Sequence, residues 1–179
     1  MCVITFGALG ANRRRPCDTW SARLPSTSPS GGIAVSTSGT IERSRATLPW
    51  LFVLYAAATL LHFAHNAEYL GQYPNLPSSW SRAEVYAAWC LVTALGLLAY
   101  GLYGLGLRNL GLTLLAVYAA LGFGGLLHYA RASMAHHSAM MNVTIWAEAA
   151  AGTLLLANVV VIGGSTLGLL PPKHRWRDP

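Results

Sequence analysis

The sequence holds six histidines, and five of them (His62, His65, His128, His136 and His137) border long apolar stretches, while His174 lies in a basic tail. Imidazole both binds transition metals and exchanges protons near neutral pH, so this grouping is the first chemical signal in the chain. His62-x-x-His65 has i, i+3 spacing, which lets two imidazoles on one helix reach a single ion. Glu148 lies inside a different apolar stretch. A charge at such depth costs roughly 2.5–3.5 kcal/mol on insertion, so this carboxyl must be protonated, paired with a histidine or bound to an ion. At about 100° per residue, Tyr55, Thr59, His62, Asn66 and Tyr69 share a narrow helical arc, a polar stripe with His65 about 60° and Glu68 about 120° from His62.

The elements that position these groups follow from composition. Hydrophobic residues make up 54% of the chain and charged ones 10%, where a soluble domain carries about a quarter charged. Four apolar stretches lie near residues 49–70, 84–106, 109–131 and 142–165. Each has the ~20 residues a helix needs to cross a ~30 Å hydrocarbon core, and in lipid only a helix satisfies an isolated segment's backbone. The expected fold is therefore all-α, an integral membrane up-down four-helix bundle over residues 48–170 and an N-terminal leader. The leader, residues 1–47, is rich in Ser, Thr, Gly, Pro and Arg and reads as disordered. Pro171-Pro172 ends the last helix and opens a basic tail, 171–179. The loop around Leu107-Arg108-Asn109 is too short for anything but antiparallel neighbours, and Gly71–Arg82 carries Pro and Ser turn chemistry.

Up-down topology brings His62, His65, His128, His136, His137 and Glu148 to one end of the bundle. Helix 2 adds a face of Tyr86, Cys90, Thr93 and Tyr100. Cys90 reads as a small buried apolar residue, and with Cys2 and Cys17 in the leader no Cys-x-x-Cys pair exists. Gly122 to Gly125 lie within the third stretch and read as sites of close helix packing.

Arg43, Arg45, Arg108, Lys173, Arg175 and Arg177 fall on one side of the bundle and Arg82 and Arg131 on the other. The positive-inside bias then places both termini in the cytoplasm, in a membrane expected to be the bacterial inner membrane. The net charge of +6 resides in these flanks, with no basic–aromatic face, so the lipid bilayer and not a nucleic acid is the expected partner. A homo-oligomer or a larger membrane complex is a further expectation, because the chain is short for a complete transporter. The leader lacks the layout of a secretory signal. Its Arg and Ser richness resembles an organellar transit peptide without the amphipathic period, and a true start downstream of it is an equal alternative.

Two readings of the histidine-rich end follow. In one it is a metal site for Zn, Fe, Mn or Cu, or a haem site, with His62, His65, His128 and Glu148 as ligands. His136 and His137, which solvation in a loop would also explain, and the interfacial Glu68 are secondary candidates. In the other, the same groups hydrogen-bond one another and hold the helices together. The nucleophile elbow, the phosphate loop and the zinc-protease helix are missing from the sequence. The functions expected are a metal-dependent membrane enzyme acting on a lipophilic substrate or, alternatively, a non-catalytic transport or accessory subunit of a membrane complex. In the second, the cluster relays protons or serves structure.

His65-Asn66-Ala67-Glu68-Tyr69, followed by Tyr73-Pro74, resembles the HXXEE group of small bacterial membrane proteins over this one helix end, with Tyr69 at the place of the second glutamate. The resemblance implies a multi-helix membrane protein and no particular activity.

Overall fold

The computed structural model describes residues 37–76 and 79–167. In chain order these form α1 (Thr37–Glu68), a 3₁₀ turn (Leu70–Gln72), α2 (Arg82–Gly104), α3 (Arg108–Ala120), a 3₁₀ segment (Leu121–Leu127), α4 (His128–Arg131), a 3₁₀ turn (Met134–His136) and α5 (Ala139–Thr166). No strand occurs among the described residues. Four spans are long and apolar enough to cross a membrane: Gly39–Glu68, Arg82–Gly104, Arg108–Arg131 and Ala139–Thr166. The expected all-α four-helix bundle is thus what the chain forms, and its composition is that of a multi-pass membrane protein. Large apolar side chains such as Trp50, Leu91 and Val160 point outward, as suits contact with acyl chains and not water.

Local chemistry sets the helix ends. Ser81 caps α2 in a capping box with Glu84, and the Ser138 hydroxyl accepts from the Met141 N–H at the start of α5. Between α2 and α3 the chain reverses through Gly106 at φ +91°, a left-handed conformation that a side chain would strain.

The bundle closes through glycines. A Cβ at Gly122 would stand 2.8 Å from the Tyr55 ring, one at Gly96 2.7 Å from the Tyr118 ring, and one at Gly152 2.7 Å from the Ala119 carbonyl oxygen. Hydrogens at these positions let the helices approach, which is how membrane helices gain packing where lipid offers no hydrophobic drive. Tyr55 and Tyr118 are fully buried in the resulting core, and the Tyr55 hydroxyl donates to the Tyr118 carbonyl at 3.0 Å.

Several expectations change in detail. The first helix begins at Thr37, inside the stretch assigned to the leader. Residues there, including Glu42, Arg43, Arg45 and Ala46, are good helix formers, and extending a helix already nucleated by its membrane span is inexpensive. Asn158 on α5 fixes this extension by donating to Thr47 Oγ1 at 2.9 Å. The rest of the leader and the basic tail lie outside the described residues. The third span is not one α-helix: at Leu121–Leu127 it tightens to 3₁₀, where three glycines weaken the α form and two of them pack against α1 and α5. Cys90 is exposed on the bundle surface, not buried, because an apolar thiol suits lipid as well as core. Tyr69, at the end of the polar stripe, is exposed too.

Candidate functional site

The polar stripe of α1 does face inward. Thr59 and His62 are buried, and α5 supplies Thr144 and Glu148 opposite them, also buried. What lets these groups meet is the 3₁₀ segment. A Cβ at Gly125 would lie 3.0 Å from Glu148 Oε2 and 3.4 Å from His62 Nε2, so the bare glycine backbone forms one wall of the pair. His128 follows directly after this segment, and its ring centroid lies 5.6 Å from that of His62.

The hydrogen bonds fix the proton arrangement. Thr144 Oγ1 donates to the Met141 carbonyl at 3.0 Å, and His62 Nδ1 meets that same hydroxyl at 3.4 Å. With the hydroxyl proton on the Met141 carbonyl, the tautomer that suits this contact carries its hydrogen on His62 Nδ1 and a lone pair on Nε2. The Asn66 amide then donates both to His62 Nε2 at 3.3 Å and to His128 Nε2 at 3.2 Å. Two imidazoles, with ring centroids 5.6 Å apart, thus present their Nε2 atoms to one small region. Into that region points Glu148 Oε2, 3.6 Å from His62 Nε2, buried and without a hydrogen-bond partner among the described residues.

A cavity of about 280 Å³ opens onto this pair. Its base is polar, formed by His62, Asn66, His128 and Glu148, and its walls are apolar, with Phe63 of α1, Val85 of α2 and Leu127 of the 3₁₀ segment among them. Arg131 stands on its lining at the end of the third span.

The remaining candidates fall at varying distances from this centre. His65 joins it through Tyr73, whose hydroxyl is hydrogen-bonded to His65 Nδ1 at 2.9 Å and whose ring packs on His128 at 4.9 Å. Burial pushes the Tyr73 hydroxyl up to about 12, so it stays protonated throughout the physiological range. His137, read from sequence as a loop residue, is buried: its Nδ1 donates to the Ser133 carbonyl at 3.0 Å, and its ring lies 6.2 Å from that of His128. His136 is exposed and bonds to Ser133 Oγ at 2.8 Å. Glu68 turns away to Arg82 at 3.2 Å and to the Tyr86 hydroxyl at 3.1 Å, an ion pair at the surface. Among the described residues, no three His, Cys, Asp or Glu side chains are arranged to hold one metal ion.

Sequence reasoning placed Asn66 on the stripe but did not assign it to the site. Its i+4 spacing from His62 is the signal, since that spacing stacks an amide directly over the imidazole. Tyr73 and Arg131 gave no such signal, one lying in a loop and the other at a helix end.

Fold and site together define a multi-pass helical membrane protein with a carboxyl–imidazole pair buried at one end of its bundle. No model of a protein family, no curated protein and no solved structure matches the chain.

Proposed function

We propose that the protein binds a small lipophilic molecule in the cavity at its histidine-rich end and acts on it through Glu148 and His62, exchanging a proton. One observation carries this reading: a carboxyl oxygen with no hydrogen-bond partner among the described residues stands 3.6 Å from His62 Nε2, both residues buried, on the lining of a cavity with largely apolar walls. A buried carboxyl oxygen without a partner calls for a proton or a cation, His62 Nε2 can share it when the Asn66 amide yields, and the cavity gives that proton access to a ligand. Apolar walls with a few convergent polar groups are the usual character of a small-molecule site. The pair serves chemistry on the ligand or, in a transport or accessory subunit of a larger membrane complex, a proton relay, and turnover of the bound molecule separates the two. The likeness to the HXXEE group at His65–Glu68 is compatible with either.

A second reading has its own observation. Two ligands on one tetrahedral ion stand about 3.4 Å apart, closer to the His62–Glu148 separation than a hydrogen bond would be. A Zn, Fe, Mn or Cu ion there would take His62 Nε2 and Glu148, with His128 reaching it once the Asn66 amide moves aside.

Photolabelling in neutral lipid tests the first reading: an apolar diazirine should label the peptides around Phe63 and Leu127, and Ala88→Trp, which fills the cavity, should block it. Labelling unchanged by Ala88→Trp removes the cavity from the function. Metal analysis and an optical spectrum of the purified protein test the second, with a stoichiometric ion or haem lost in Glu148→Gln as the expected result.

We also read both termini as cytoplasmic, in a bacterial inner membrane, from Arg43, Arg45 and Arg108 on one side against Arg82 and Arg131 on the other. In a background lacking Cys2, Cys17 and Cys90, cysteines at Ser79 and Ser138 should react with an impermeant reagent outside intact cells and one at Asn109 should not. The reverse pattern inverts the orientation.

A further inference from the structure

The cavity that the proposed function uses has a polarity of its own. Only two of its lining residues are of a formally charged type, Glu148 at the base and Arg131. Arg131 is the last residue of the third span, a place suited to the boundary where hydrocarbon gives way to headgroups. The other arginine at this end, Arg82, is neutralised by Glu68 at 3.2 Å, whereas Arg131 has no carboxylate partner among the described residues.

Arg131 is nevertheless held in place. Its Nη1 donates to the Asn75 carbonyl at 3.3 Å, and Asn75 Nδ2 donates back to the Arg131 carbonyl at 2.8 Å. Asn75 adopts φ 58°, a left-handed conformation that asparagine tolerates better than most residues, and this reciprocal contact stabilises it there. The clasp uses one of the five guanidinium N–H donors, leaving a fork suited to a carboxylate or phosphate.

Resting on the reading of the cavity as a binding site, we infer that its ligand is a single-tailed anionic amphiphile whose acidic head sits on Arg131 and whose apolar body lies along the cavity walls. Charge fixes the direction. The base, where Glu148 lies, is the wrong end for an anion, and the unpaired guanidinium is the right one. Size points the same way: about 280 Å³ is at the lower limit for a small-molecule site, room for most of one acyl chain alongside the open mouth and not for two side by side. The hydrogen-bonding groups of Asn66, His62 and His128 would then meet the part of the ligand beyond its head.

The test measures binding to the whole protein in nanodiscs of phosphatidylcholine, corrected for empty discs, with three probes: lauroyl lysophosphatidic acid, uncharged monolaurin and inorganic phosphate. The charged lipid should bind at least about fivefold more tightly than monolaurin, a modest factor because Arg131 is exposed. Arg131→Gln should abolish that preference while leaving monolaurin binding intact. Arg131→Lys, which keeps the charge, and Asn75→Ala, which removes the clasp but not the charge, should retain most of it. Inorganic phosphate should compete only at far higher concentration, and equal competition would make the site one for a free anion and overturn the inference. Equal binding of the two lipids by the unaltered protein, or a preference that survives Arg131→Gln, would also overturn it, while leaving the cavity reading in place. If neither lipid binds, or Ala88→Trp leaves both bound, the cavity reading itself fails.

Discussion

The bundle has a cavity near each end, and the two are made differently. The one at the histidine-rich end, about 280 Å³, reaches a buried carboxyl and two imidazoles. The other, about 380 Å³ between α3 and α5 at the opposite end, is lined by Leu112, Ala116, Val159, Gly163, Leu167 and neighbours, with no titratable side chain. The larger space therefore offers apolar contact and the neutral polar groups of Asn109, Thr113 and Thr166, and the smaller one offers titratable groups. Volume does not identify a site in a membrane bundle, since imperfect packing against lipid leaves grooves at little cost. Buried ionisable groups do, because each must be stabilised against its insertion penalty.

Close backbone approach, unlike the chemistry, occurs at both ends: a Cβ at Gly111, near the opposite end, would lie 2.5 Å from the Tyr103 nitrogen. The largest losses of stability are expected where a methyl would meet backbone, at Gly111 and at Gly152, and Gly152→Ala tests the level where α3 gives way to the 3₁₀ segment. The new methyl would lie 2.7 Å from the Ala119 carbonyl oxygen, and backbone cannot turn aside as a side chain can. A cost of about 1–3 kcal/mol should appear as a lowered melting temperature in detergent. An unchanged melt would show that the glycines do not set the spacing of α3 and α5.

Next comes Glu148→Gln. It keeps the shape of the side chain and removes its charge and its acid–base chemistry. Loss of at least tenfold in ligand or metal affinity, about 1.4 kcal/mol, is expected with little change in melting temperature. A variant that folds and binds as before would make the histidine-rich end structural, like its opposite.

Asn66→Ala removes the amide shared by His62 and His128. Interhelical hydrogen bonds in membranes average about 0.6 kcal/mol, so stability should fall by about that amount. The sharper readout is nuclear magnetic resonance of the two imidazoles, whose Nε2 shifts should both move. If only the His62 signal moves, Asn66 does not couple the two rings.

The smallest effect belongs to the opposite end. A Cβ at Gly163 meets nothing within 4 Å, so Gly163→Ala should change stability by no more than about 0.5 kcal/mol, with helix propensity favouring the alanine. A clear destabilisation there would mean that this end is packed against something the single chain does not include, and calorimetry in detergent would show it.

Much of this was legible from the residues alone. Four apolar runs of membrane-spanning length could only become helices, since hydrocarbon offers no other partner for backbone N–H and C=O groups. Short connections then made the bundle up-down and gathered His62, His128 and Glu148 at one end, and the period of α1 placed Tyr55, Thr59, His62 and Asn66 on its inner face. These are consequences of length, period and connectivity, which the sequence carries by itself. Tertiary structure alone decided what the apolar residues could not announce. A helix that is apolar all round has no contrast between its faces to mark the inner one, so the outward position of Cys90 and the inward one of Gly125 followed from packing. The 3₁₀ turn of the third span, the diversion of His65 to Tyr73 and the clasp of Asn75 on Arg131 likewise depend on contacts between segments distant along the chain. Such contacts are chosen by three-dimensional fit and by the need to satisfy each buried polar group, and neither has a local trace in the order of residues.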